Sequence, residues 1–331
     1  MRNAKDMRAA ALFVATILCA GGQAASAADI DVAQYGSSTS GFPYAVALEK
    51  GFFKEAGADI DGILGTIGGG SDVRNLVAAG LPYADVALPS AISAIQQGAD
   101  IVMVSESSQN AASLVLVTMP NSTITSIKDL KGKRIGFSSP QSFSQAAESL
   151  MLDRAGYKHG DVTMVATGGF GPGLTALEHG GVDITVSTLP DLYLHPDKYK
   201  PVIWGRDALP PIANTVGVIP RNTSGKQADM VRAIIIARRK AVEYMASNRD
   251  ESAAIIGKVY KIDTAVARKI IDQLIDQGKI EGIPYWGPGN FDFAGMDNMI
   301  AAGRAVGMIR GDVDVKKMID ERYLPSDLQS K

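Results

Sequence analysis

Ile30-Asp31-Val32-Ala33 leads through Gly36-Ser37-Ser38-Thr39-Ser40-Gly41-Phe42-Pro43 into a helical pattern that runs to Phe53. A β-branched run, a glycine- and serine-rich joint and a helix make the first half of a strand-helix-strand unit. The order repeats at once, with a strand over 59–64, a joint Gly65-Thr66-Ile67-Gly68-Gly69-Gly70-Ser71-Asp72, and a helix over 71–79 in which Val73, Leu76 and Val77 share a face. A strand over 84–88, a helix over 91–97 and a strand over 101–104 complete the block. This alternation predicts a mostly parallel sheet with helices on its faces.

Working outward, Leu114-Val115-Leu116-Val117 is a continuous apolar strand, and the breaker-rich Met119-Pro120-Asn121-Ser122 after it marks a crossing point. The pattern then restarts: strands over 134–137, 161–166, 183–187 and 202–204, with helices over 144–155 and 173–179. Residues 213–219 are extended and apolar and return the chain to the first block. Five helical stretches follow, over 227–247, 251–258, 264–277, 294–306 and 315–323. In the first of these Met230, Ile234, Ala237, Ala241 and Tyr244 form an apolar stripe opposite Arg232, Arg239, Lys240 and Glu243. The expected architecture is therefore α/β: two doubly wound lobes joined by two extended hinge crossings, with a helical tail on the first lobe. The expected boundaries are 28–117 plus 217–331 for the first lobe and 118–216 for the second. Strand ends in such sheets present their loops to the cleft, which is where ligands bind.

The first 27 residues read as an export signal. Arg2, Lys5 and Arg8 precede an apolar run over 9–20, and Ala25-Ser26-Ala27 is a small-x-small cleavage site. The run is shorter than the ~20 residues a membrane span needs. Cleavage after Ala27 removes Cys19, the one cysteine, leaving no thiol nucleophile and no disulfide. The expected location is the periplasm. Composition fits a globular chain of 331 residues, with 46% hydrophobic and 21% charged residues. Lys plus Arg is 33 against 35 acidic residues, which argues against a nucleic-acid partner.

Gly171-Pro172-Gly173-Leu174-Thr175-Ala176 has the spacing of a dinucleotide fingerprint, but Pro172 lacks an N–H where phosphate contacts are needed. No G-x-S-x-G, H-E-x-x-H or P-loop occurs, and His159, His179 and His195 lie apart. No cofactor and no metal are expected, and the chain is read as a binding protein, not an enzyme.

Two stretches carry a family resemblance. Tyr44-Ala45-Val46-Ala47-Leu48-Glu49-Lys50-Gly51-Phe52-Phe53-Lys54-Glu55-Ala56-Gly57 and Ile127-Lys128-Asp129-Leu130-Lys131-Gly132-Lys133-Arg134-Ile135-Gly136 resemble the periplasmic solute-binding proteins of the nitrate/sulfonate/taurine class of ABC importers. Physically, Lys50-Gly51 reads as a helix end with Phe52 and Phe53 packing beneath it. The second stretch reads as a solvated turn ahead of a buried strand. The resemblance implies a monomeric, bilobed receptor that closes on a small, anionic organic solute and docks on an inner-membrane permease with its ATPase. An enzyme on the same scaffold, similar to pyrimidine-precursor synthases, and a sensor domain are the alternatives.

Glycine-rich loops at helix N-termini suit an anion, although Ser40, Ser71 and Asp72 would serve equally as ordinary N-caps. The resemblance carries ligand contact to Ser40, Gly41, Gly69, Gly70, Ser71, Ser90, Ser139 and Gln141. Phe42 and Phe170 are candidate pocket walls, with Tyr44, Phe143 and Trp286 beside them. Arg206, or Arg74, is the candidate counter-charge.

Overall fold

The computed structural model describes residues 28–68 and 70–330, so the expected signal segment and Gly69 lie outside the described residues. Among the described residues ten strands form two five-stranded sheets, covered by twelve helices. The first sheet holds β1 (Ala28–Ala33), β2 (Ile60–Thr66), β3 (Ala84–Ala87), β4 (Ile101–Ser108) and, from far along the chain, β10 (Thr215–Pro220), in the order β2-β1-β3-β10-β4. The second holds β5 (Val115–Thr118), β6 (Arg134–Phe137), β7 (Thr163–Ala166), β8 (Ile184–Ser187) and β9 (Lys200–Trp204), in the order β7-β6-β8-β5-β9. In each sheet four strands run in one direction, and the strand that arrives from the other lobe enters antiparallel between two of them.

That insertion shifts the lobe boundary from the expected one. Val115–Thr118 already pairs with β8 and β9, so the outward crossing lies ahead of Val115 and not beyond Val117, and the return crossing lies ahead of Thr215. An apolar run of four residues shows that a strand is buried without showing in which sheet.

Twelve helices cover the sheets: α1 (Phe42–Glu49), α2 (Phe52–Ala56), α3 (Ser71–Ala79), α4 (Leu88–Gln96), α5 (Phe143–Arg154), α6 (Phe170–Glu178), α7 (Leu189–Leu194), α8 (Gly205–Ala208), α9 (Gly225–Ser247), α10 (Arg249–Tyr260), α11 (Thr264–Asp276) and α12 (Phe293–Ala305). The helix expected to run to Phe53 divides at Gly51, whose φ of 71° ends α1, and Phe52 and Phe53 pack beneath as the motif implied. The helix expected over 315–323 is instead two short 3-10 turns, Val315–Met318 and Glu321–Tyr323. Between them Ile319 bridges Met103 and covers the edge of β4.

The tail does more than cover the first lobe. α9 packs on α1 and α2, but α12 touches both α4 and α5, and α11 touches α7, so the tail spans the seam between lobes. None of the described helices is long and apolar enough to cross a membrane.

One buried guanidinium organises the first lobe. Arg238 of α9 is 2% exposed and donates to the carbonyls of Gly287 and Ser107. Around it Tyr44 donates to Asp85 Oδ2 at 2.7 Å, and Glu106 Oε2 accepts from the Asp292 amide at 2.7 Å. Burial pushes both carboxyls above their ordinary range, partly offset for Asp85 by Ser107 and Arg238 and for Glu106 by the Asp292 amide and Arg238. β4 thus runs past the expected end at Val104 through Ser105-Glu106-Ser107-Ser108, all of them buried.

Candidate functional site

The strand ends of both sheets converge on one cavity of about 70 Å³ between the lobes. By the rule that a water needs ~10–15 Å³ of such space, it has room for roughly five to seven waters. The first lobe contributes Ser38, Thr39 and Ser40 after β1, with Asn214 and Thr215 where β10 begins. The outward crossing contributes Ser113 and Leu114. The second lobe contributes Ser138, Ser142, Phe143 and Ser144 after β6, Phe170 at the start of α6, and Ser187, Thr188 and Leu189 after β8. Because β5 and β10 run antiparallel to their neighbours, their N-terminal ends lie at the same edge as the other strands' carboxyl ends. That is why residues of the crossings reach the site.

The lining is rich in hydroxyls and, among the described residues, contains no charged side chain. Neutral donors are held by other neutral groups. Thr39 Oγ1 and Ser113 Oγ each lie 2.9 Å from the Tyr285 hydroxyl, and Trp286 Nε1 donates to the Thr39 carbonyl at 3.0 Å. Ser38 and Ser40 hydroxyls are 3.0 Å apart. Across the cavity the Ser144 hydroxyl accepts from the Ser138 amide at 3.0 Å and contacts the hydroxyls of Ser138 and Ser142 at 2.9 and 3.1 Å. Ser142 caps α5 and Thr188 caps α7, so first-turn N–H groups without intrahelical partners lie at the cavity wall. Such an arrangement offers hydrogen-bond donors and positive helix ends without a full counter-ion.

The candidate residues divide by place. Ser40 and Phe170 line this cavity. Gly41 does not: a Cβ there would collide with the Tyr260 hydroxyl and stand 2.9 Å from the Tyr35 ring, so its glycine answers to packing. Phe42 is fully buried between Tyr260 and Trp286, with ring centroids at 4.8 and 5.9 Å. Ser71 donates to the Gly68 carbonyl at 2.7 Å and pins the loop, while Gly70 in the left-handed region starts α3 without a side-chain cap. Ser139 is buried but is not among the lining residues.

Gly70, Ser90 and Gln141 meet in a side groove of about 470 Å³ together with Arg74. There Ser90 Oγ donates to the Gln141 carbonyl at 2.8 Å and Gln141 Nε2 donates to Ser93 Oγ at 3.1 Å, which ties the lobes together. Gln141 adopts a φ of 64° to make this reach.

Arg206 is placed away from the cleft. It stacks over Trp204 at 4.7 Å and lies 3.8 Å from Asp207, in a groove that also takes Tyr193 and Lys269. The glycine motif at 171–176 forms the first turns of α6, where a Cβ on Gly173 would stand 2.9 Å from Thr185 Oγ1. Its spacing reflects close helix-sheet packing. Ser113, Asn214, Thr215, Ser187 and Thr188 escaped sequence reasoning; for the first three the signal available was a polar residue at or just before the start of an apolar crossing strand, and for the last two a polar pair ending an apolar strand and capping the helix after it.

Residues 38–252 match the family model described as NMT1/THI5 like. Comparison with curated proteins finds no match. Among solved structures, the chain is similar to the periplasmic aliphatic sulphonate binding protein SsuA from Escherichia coli, with 16% identity, a TM-score of 0.69, and coverage of 88% of this chain and 96% of that one. It is similar to the alkanesulfonate-binding protein SsuA from Xanthomonas axonopodis pv. citri bound to MOPS, with 15% identity, a TM-score of 0.70, and coverage of 88% and 97%. A cysteine-to-serine mutant of DszB in complex with biphenyl-2-sulfinic acid shares the fold at 14% identity and a TM-score of 0.60, covering 89% and 97%. These likenesses show the two-lobed binding-protein fold, and the family match covers well over half of the chain. The chain belongs to the NMT1/THI5-like family.

Proposed function

We propose that the protein is the periplasmic solute receptor of an ABC importer, holding a short organic monoanion, a sulfonate or carboxylate, between its lobes and passing it to a membrane permease and ATPase. The observation that carries this reading is the cavity wall itself, with ten hydroxyl side chains, the starts of α5, α6 and α7 and no formal charge among the described residues. Donors without a counter-ion suit a singly charged oxyanion better than a phosphate dianion, whose burial would demand paired cations. Phe143, Phe170, Leu114 and Leu189 supply a wall for a short apolar remainder. Both sulfonate-binding neighbours share this fold, which supports the solute class proposed. Export through the signal ending at Ala27 would deliver the chain to the periplasm.

The likeness to DszB keeps an enzyme on this scaffold as the second reading. Both are tested by one screen. The chain from Ala28, unfolded and refolded to strip bound solute, is melted in the presence of alkanesulfonates, carboxylates, aromatic acids, nitrate and pyrimidines. Free solute at a hundred times its Kd stabilises by about 2.7 kcal/mol. A stabilising sulfonate or carboxylate recovered unchanged is the expected result. A compound that is consumed, or stabilisation by neutral pyrimidines alone, contradicts the receptor reading.

A further inference from the structure

Arg206 and Lys269 reach one groove from opposite lobes, and neither is held in a close ion pair. The groove measures about 490 Å³ and is walled by Tyr193, Trp204 and Arg206 of the second lobe and by Arg268, Lys269 and Gln273 of α11. The nearest carboxylate to Arg206 is its chain neighbour Asp207, at 3.8 Å and mostly exposed. Lys269 has no carboxylate within 4.0 Å among the described residues, and its ammonium lies 3.9 Å from the centre of the Tyr193 ring. Two acidic residues do border the groove, but both are already engaged. Arg249 reaches Asp272 at 2.9 Å and Asp276 at 2.7 Å, and Arg268 reaches Asp272 at 2.9 Å. A third observation points the same way. Gln273 is 9% exposed, its Oε1 accepts from the Tyr193 hydroxyl, and its Nε2 has no partner among the described residues. A buried N–H without an acceptor is costly, so a ligand oxygen there is favourable.

We propose that this groove is a second anion site, separate from the hydroxyl-lined cleft, taking a multiply charged oxyanion whose oxygens bridge Arg206, Lys269 and the Gln273 amide. Two cations and an amide donor select charge that the neutral cleft does not, so the two sites take different solutes. The proposal does not depend on what the cleft holds.

Calorimetric titration at constant ionic strength tests it, with citrate and inorganic phosphate as separate probes. At least one of them is expected to saturate with a Kd of about 1 mM or below. Because the walls come from both lobes, Arg206→Gln and Lys269→Gln are each expected to weaken binding roughly tenfold or more. Lys317→Gln, at an exposed ion pair elsewhere, and Ser40→Ala in the cleft are expected to leave it unchanged. Lys269→Glu, at an exposed position and with reversed charge, is expected to abolish binding and stands in if a glutamine variant loses its melting transition. Saturation by neither anion, wild-type affinity in the Arg206 or Lys269 variants, or equal weakening in Lys317→Gln overturns the proposal.

Discussion

Ser40→Ala and Ser187→Ala are each expected to weaken binding of the cleft solute by roughly 10- to 100-fold while leaving the melting temperature of the empty protein nearly unchanged. The magnitude comes from a hydrogen bond to a charged group, about 1.5–3 kcal/mol, in a cavity where no cation compensates for its loss. Ser40 follows β1 in the first lobe and Ser187 ends β8 in the second, so the pair samples both walls. Ser187 donates only a long 3.3 Å bond to the Thr188 carbonyl, and Ser40 contacts the Ser38 hydroxyl, so neither supports a structural network of consequence. Their effects should add if each reaches a different oxygen of the solute. Titration calorimetry with the solute found by thermal screening measures this directly. Unchanged affinity in both variants would show that the solute is held elsewhere.

Asp72→Asn is expected to raise stability at pH 8 by up to roughly 4 kcal/mol and to flatten its pH dependence. Asp72 is fully buried at the start of α3, where its carboxylate accepts from the Thr66 hydroxyl. Burial first, and then the neighbouring Asp31 charge, push its pKa up to about 7. The unfolded chain loses this proton near pH 4, whereas the folded chain keeps it until about 7. Between those values the native state binds the extra proton, so stability falls as pH rises through the window, and the full penalty applies above it. Asparagine is neutral throughout and its Oδ1 retains the Thr66 bond. Chemical denaturation from pH 4 to 8 checks this, and an identical slope in the variant would contradict it. A cost of this kind at the rim of the β2-α3 loop is consistent with stability yielding locally to the shape of a binding edge.

The alternation of strands and helices was legible because period-two and period-3.6 apolar patterns depend on local residues alone. The restart of the pattern after Ser122 showed two blocks, and the capping box of Ser126 and Asp129 ahead of β6 has the expected form of a solvated turn before a buried strand. Membership of the crossing strands was not legible. Val115–Thr118 and Thr215–Pro220 are apolar in either sheet, and their placement follows from pairing at long range. The site was legible as loops and not as residues. Thr39 is positioned by Tyr285 and Trp286, nearly 250 positions away, and no local pattern encodes that contact. Arg206 was misplaced for the opposite reason: its charge is conspicuous in the sequence, but the turn after β9 carries it to Trp204 at the seam. Arg238 shows the same limit, since a buried guanidinium and an exposed one read alike until the carboxylates around it are known.

The most direct measurement is a crystal structure of the chain from Ala28 grown with the sulfonate or carboxylate that gives the largest thermal shift. Its oxygens are expected among the hydroxyls of Ser38, Thr39, Ser40, Ser138, Ser142, Ser144, Ser187 and Thr188, with no arginine or lysine in contact. A solute paired with a cation, or seated in another groove with this cavity holding only water, would contradict it.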